Sequence, residues 1–177
     1  MALSATIYKA EVQVSDLDRH YYQQHSLTLA RHPSETDLRM MVRLLAFCCN
    51  ASEALSFTKD MSDPDEPALW AKDLTGQIML WIDLGQPDEK RILKACGRSA
   101  KVLVLSYQAS SPLWWNQIKS KLTRLDNLQV LYLPKELGDQ LASLAQRSMQ
   151  IQFMVEENQI WFSRGEDSLQ LQFERWL

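Results

Sequence analysis

The sequence predicts a mixed α/β domain of the α+β kind, in which a mixed sheet with crossover helices is joined by a second, antiparallel β-region from the two ends of the chain. Three patterns predict it. Between residues 77 and 133, apolar strand-like runs alternate with helical segments, a succession that gives parallel neighbours through right-handed crossovers. Before that stretch, residues 5–14 and 21–29 alternate apolar and polar side chains about a tight connection, as an antiparallel hairpin does. After it, residues 149–156, 159–163 and 169–174 alternate in the same way, with a turn at Asn158.

Each element has its own warrant. The N-terminal pair reads ATIYKAEVQV and YYQQHSLTL, connected through Ser15, Asp16 and Asp18. His32-Pro33-Ser34-Glu35-Thr36-Asp37 then announces a helix, with Ser34 as N-cap and Asp37 three residues on completing a capping box. Leu38, Met41, Val42, Leu45 and Cys49 recur on one helical stripe. Glu35, one turn before Leu38 and Arg39, stands near the same inward edge. Residues 55–58 are a weak strand, 67–73 another, and 77–84 (QIMLWIDL) a strong one after the turn Thr75-Gly76. Pro87 is a favoured first helical residue, and Asp88 and Glu89 complement the positive end of a helix running to about residue 99. The run 102–107 is short and continuously apolar, as a buried central strand is. A helix over 112–121, a strand over 128–133 and a helix from 134 to about 147 complete the alternation.

Composition sets the outer limits. A chain of 177 residues suffices for one sizeable core, so residues 1–177 are expected to form a single domain. Apolar residues at 46% and charged residues at 23% are ordinary globular usage and exclude a disordered chain. No run approaches the ~20 apolar residues of a membrane span. Lys9 and Glu11 interrupt the N-terminus, where a signal peptide needs an unbroken apolar core. Cys48, Cys49 and Cys96 make no disulfide framework, because adjacent side chains on a helix diverge. With His20, His25 and His32 they give no zinc spacing either. A reduced cytoplasm without membrane is the expected setting.

Charge is distributed unevenly. The net charge is −3, which argues against a strongly basic nucleic-acid-binding protein. Yet residues 87–124 hold eight cations (Lys90, Arg91, Lys94, Arg98, Lys101, Lys119, Lys121, Arg124) against Asp88 and Glu89. That sector is +6 and leaves −9 for the rest of the chain. A basic sector on an acidic body can follow the phosphate backbone of DNA or RNA, with Lys90, Arg91, Arg98, Lys119, Lys121 and Arg124 as the contacts. Solvated helix faces produce the same count.

The chemistry-bearing residues concentrate at one hairpin edge. Asp63-Pro64-Asp65-Glu66-Pro67 precedes one strand, and Asp83 ends the next. A hairpin turning between Leu74 and Thr75 sets Glu66 opposite Asp83, with Asp65 one step along, and cross-strand neighbours have Cβ atoms ~5 Å apart. Like charges so placed repel, and a divalent cation between them reverses the sign; Mg²⁺ is held by one or two carboxylates plus water or phosphate. The helix after Asp83 supplies a cation in Lys94, ~9 Å along the axis from Asp88 at 1.5 Å per residue. Carboxylates on Mg²⁺ with an ammonium group beside them suit phosphodiester hydrolysis, the metal acidifying a water and the lysine stabilising developing charge.

These residues lie inside longer blocks: ATIYKA, LARHPSET with RMM-V-RLLAF, DEP-A-LW, WIDLG-PDEKRI-KA, and the pair Trp114-Trp115. Through them the chain resembles the YaeQ family over essentially its full length. The resemblance implies a compact variant of the PD-(D/E)XK nuclease fold, with a restriction-endonuclease-like core. That fold is named for an acid on one hairpin strand and an acid-x-Lys on the next, and many members add an acid on a preceding helix. Carried onto this chain, Glu35 is the helix acid, Asp65 or Glu66 the first hairpin acid, and Asp83 the second. The chain departs from the pattern at Gly85, which stands where the lysine belongs. Some members place that lysine on the following helix, where Lys94 is the candidate.

Every one of these residues also has an ordinary structural role to offer. Glu35 can complement its own helix N-terminus, Asp65 and Glu66 suit a turn, and Lys94 suits a solvated helix face. Asp83 is the hardest to dismiss, since an acid ending an apolar strand needs a partner. Trp114 and Trp115 could stack on bases, though one core and one half-buried aromatic is the commoner outcome. Three readings stand: a Mg²⁺-dependent nuclease, a catalytically idle nuclease fold that binds nucleic acid or a component of transcription or repair, and a protein-interaction module.

Overall fold

The alternating N-terminal residues form a long hairpin in the structure, a computed structural model that describes residues 3–177. β1 (Thr6–Asp16) and β2 (Tyr21–Arg31) pair antiparallel from Thr6↔Arg31 to Asp16↔Tyr21. Every second residue of β1 from Tyr8 to Asp16 is buried, as period-two burial on one sheet face requires. α1 (Asp37–Cys49) packs on this hairpin. Its N-cap is Thr36, whose hydroxyl accepts from Arg39 N at 3.1 Å, and not Ser34 as expected. The hydroxyl and backbone N–H of Ser34 both meet His32 Nδ1, so Ser34 is engaged in its own turn.

The middle of the chain builds the mixed sheet. β3 (Leu55–Phe57), β4 (Leu69–Lys72) and β5 (Ile78–Leu84) form an antiparallel meander. α2 (Glu89–Arg98) crosses over to β6 (Val102–Ser106), and α3 (Ser111–Leu122) to β7 (Leu128–Tyr132), with β5, β6 and β7 parallel as the alternation predicts. All of β6 is buried. Pro87 lies outside α2, because Asp88 takes the N-cap and accepts from Arg91 N at 2.8 Å. Ile92 and Ala95 of α2 join Trp81, Val104, Trp115 and Val130 in the core of this sheet. Each large apolar side chain buried there contributes about 1.5–3 kcal/mol.

The hairpin register differs from the expected one. Leu69 pairs with Ile82 and Trp70 with Trp81, which continues to Ala68, not Glu66, beside Asp83. The turn is wider than two residues: Asp73 Oδ1 accepts from Thr75 N, Thr75 Oγ1 and Gln77 N, and Gly76 adopts φ +87°. That side-chain-closed turn moves the pairing by one residue, and a bulge between Ala71 and Lys72, where Lys72 pairs with Ile78 but Ala71 with Leu80, moves it by one more.

α4 (Lys135–Ala142) ends before the expected residue 147. Leu144 N and Ala145 N bond to carbonyls three residues back, and the Ser143 hydroxyl takes the Gln140 carbonyl, so the helix unwinds there. β8 (Ser148–Glu156), β9 (Gln159–Arg164) and β10 (Asp167–Leu171) follow. The terminal β-regions do form one sheet, in the order β10-β9-β8-β1-β2. It is not wholly antiparallel as expected, because β1 and β8 pair parallel. The last expected strand also stops at Leu171, and β11 (Glu174–Arg175) joins the other sheet, ordered β11-β7-β6-β5-β4-β3.

The chain thus divides into two compact units, one of Met1–Ala51 and Glu136–Gln172, the other of Ser52–Lys135 and Phe173–Leu177. Cys48, Cys49 and Cys96 are free thiols. Burial pushes Cys49 up to about 12 and Cys96 up to about 11, which keeps them poorly nucleophilic near neutrality. Among the described residues no helix is long and apolar enough to cross a membrane.

Candidate functional site

Glu35 belongs to the first unit and is 5% exposed. Its carboxylate accepts from Arg39 Nη1 at 2.6 Å, Arg43 Nη2 at 2.7 Å and Arg43 Nε at 3.1 Å. Arg43, itself buried, also donates to the Ala30 carbonyl of β2 at 3.2 Å. The expected helix acid therefore ties the first turns of α1 to the hairpin, with both oxygens in charge-assisted bonds.

The remaining candidates lie in the second unit. Asp83, 4% exposed, ends β5 facing α2. Its partner is Arg91, not Lys94: Nη2 reaches Oδ1 at 2.9 Å and Nε reaches Oδ2 at 3.0 Å. The same guanidinium donates to the carbonyls of Pro64 and Glu66. One arginine therefore pins the 63–67 loop to the end of β5 through a planar fork that a lysine cannot reproduce. Its role as a solvent-facing contact is correspondingly reduced. Glu66 is turned the other way, its carboxylate accepting from Lys59 N at 2.9 Å. Lys94 and Asp65 meet at 3.5 Å with side chains 61% and 76% exposed, a pair of small energetic weight.

This donor set does not suit Mg²⁺. Among the described residues no three His, Cys, Asp or Glu side chains gather as a ligand group. Asp83 gives both oxygens to Arg91, and Glu66 is committed to a backbone N–H. Gly85 explains why no acid-x-Lys stands here. Its φ of +87° is in the left-handed region, where a lysine is strained, although a Cβ would find only ordinary contacts with Gln108 and Tyr107.

Asp65, Lys94 and Arg91 nonetheless line one recess of about 20 Å³, completed by Pro64, Trp81, Ala95 and Arg98. On the opposite flank of α2, Lys121 of α3 pairs with Glu89 at 3.2 Å. Lys90, Arg98, Lys101, Lys119 and Arg124 are exposed, and among the described residues none of them has an ion-pair partner. α2 and α3 cross over between successive parallel strands and pack together, so they cover one face of the sheet; Lys90, Arg98 and Lys119 stand on these helices, and Lys101 and Arg124 just beyond their C-terminal ends. Trp115 is buried and stacks with Trp176, while Trp114 is half-buried and donates to the Pro87 carbonyl.

Sequence reasoning missed Arg91 as the partner of Asp83, and Trp81 as a recess wall. The first had a signal, since arginine rather than lysine matches a buried carboxylate bidentately. The second had none beyond its place in an apolar strand.

The family model described as YaeQ protein matches residues 1–173. Proteins named Uncharacterized protein YaeQ from Salmonella typhi and from Escherichia coli (strain K12) are each 45% identical, over 99% of this chain and 98% of theirs. The crystal structure of the YaeQ protein from Xanthomonas axonopodis pv. citri superposes with a TM-score of 0.95 at 43% identity, covering 98% of both chains. That from Pseudomonas syringae superposes with 0.94 at 33% identity, covering 98% of this chain and 96% of the other.

Proposed function

The chain belongs to the YaeQ family, and from the geometry of its second unit we propose that it binds nucleic acid along the phosphate backbone through α2 and α3, without Mg²⁺ chemistry at Asp83. The observation that carries this reading is the Arg91–Asp83 fork, which occupies the acid a nuclease would use for metal. The unpaired exposed cations on and just after α2 and α3 support the binding half of it, because cations without carboxylate partners are available to replace the counterions of phosphates. The order of α1, the β3–β5 meander, α2 and β6 is compatible with a nuclease ancestry whose chemistry is idle.

Lys90, Lys119 and Arg124 test it, since neutralising exposed, unpaired cations leaves the fold intact. Changing all three to glutamine should weaken binding of a labelled oligonucleotide by about tenfold or more at low salt. It should also flatten the slope of log K against log salt by about one for each phosphate that no longer meets a cation. Binding that ignores both salt and the triple substitution would leave a protein-interaction module as the better reading.

A further inference from the structure

The recess between the 63–67 loop and α2 holds a combination that backbone binding does not require. Arg91, Lys94 and Arg98 follow one another at helical spacing along the flank of α2 that faces the loop. Arg91 is engaged by Asp83, but Arg98 is not. Its guanidinium lies 5.4 Å over the Trp81 ring, is exposed, and has no hydrogen bond or ion pair among the described residues. Trp81 is 3% exposed, and its buried indole Nε1–H meets no acceptor. The Trp81 ring, with Arg91 5.8 Å and Arg98 5.4 Å from its centroid, forms a wall of the recess and reports on what enters it.

We infer that this recess is a binding site for one phosphate monoester group, held between Lys94 and Arg98 against Trp81. Size excludes a whole small molecule: the recess encloses about 20 Å³, far below the ~300–1,000 Å³ of pockets that take one, so only a head group can seat there. Charge favours a monoester over the diester of a passing backbone. With a second pKa near ~6 the monoester is close to a dianion at neutrality and can use two cations, one of them an arginine fork. Asp65 is the opposing group in the wall. Its 3.5 Å pair with Lys94 is exposed and weak, so the ammonium exchanges one anion for another. Arg91, fixed by Asp83, holds the loop that carries Asp65 and shapes the wall. The inference rests on the nucleic-acid reading only for the source of the phosphate, which is a strand end or free phosphate.

The test follows the Trp81 indole N–H resonance during titration with inorganic phosphate at constant ionic strength, the signal being assigned among six tryptophans with Trp81→Phe. A saturable shift is expected. Affinity should fall at least about tenfold in Arg98→Gln, rise several-fold in Asp65→Asn and stay unchanged in Lys9→Gln, an exposed lysine of the first unit. A shift that is absent, that fails to saturate or that persists in Arg98→Gln overturns the site. A second arm compares oligonucleotides with a 5′-phosphate and a 5′-hydroxyl. A preference for the phosphorylated end that Arg98→Gln removes identifies a strand end as the source. A saturable Trp81 shift without that preference assigns the site to free phosphate. Oligonucleotide binding with no Trp81 shift refutes the recess and leaves the α2–α3 reading standing, whereas a Trp81 shift with no oligonucleotide binding does the reverse.

Discussion

Replacing Glu35 by alanine should destabilise the protein by about 3–5 kcal/mol, the range for removing one partner of a buried ion pair. The side chains of Glu35 and Arg43 are 2% and 5% exposed, so the arginine cannot recover its solvation when the carboxylate is gone. Arg39, at 18%, is partly wet and adds less. Denaturant melts of the purified variant give the number. The double variant Glu35→Leu, Arg43→Met should recover most of the loss, because well-packed apolar residues often replace a buried pair without cost. A single variant within about 0.5 kcal/mol of wild type, the range of ordinary surface changes, would show that the pair is not structural.

Asp83→Asn should also be destabilising, by about 2 kcal/mol, the worth of hydrogen bonds to a charged group reduced for the 31% exposure of the Arg91 side chain. Asparagine keeps one acceptor for Arg91 but cannot pair with the fork through both oxygens and carries no charge. Arg91→Lys should cost a similar amount, since an ammonium cannot reproduce the planar fork. Reading the carboxylates as a repelling cluster predicts the opposite for the asparagine variant: melting at or above the wild type, with a Mg²⁺-induced rise in melting temperature abolished. Paired thermal melts with and without Mg²⁺ separate the two. The Arg91 account expects a lower midpoint in Asp83→Asn and no metal-specific shift in either protein.

Much of the architecture was legible because it is periodic. The apolar runs at 77–84, 102–107 and 128–133 became β5, β6 and β7 in one sheet, and the alternation at both termini became the other sheet. What depended on distant or side-chain-closed geometry was not legible. The parallel pairing of β1 with β8 joins segments more than a hundred residues apart. The hairpin register turned on Asp73, whose carboxylate closes the loop, and on the bulge between Ala71 and Lys72; together they displace Glu66 from Asp83. Asp83 was legible as an acid in need of a partner, since it ends an apolar strand. The choice between Arg91 and Lys94 was not, because it depends on how α2 is rotated about its axis relative to β5. Arg43 shows the same limit: it stands among Val42, Leu44 and Leu45, and only the folded hairpin beside it provides Glu35 and the Ala30 carbonyl.

In the proposed reading, α2 and α3 grip phosphate while Arg91, and not a metal, answers Asp83. The most direct measurement is binding and cleavage of labelled DNA and RNA oligonucleotides, in EDTA and in Mg²⁺ at matched ionic strength. The account predicts salt-dependent binding of equal strength in both buffers, intact oligonucleotide throughout, and weaker binding in the variant lacking the Lys90, Lys119 and Arg124 charges. Cleavage that requires Mg²⁺ and disappears in Asp83→Asn would contradict it and restore Asp83 as a metal ligand.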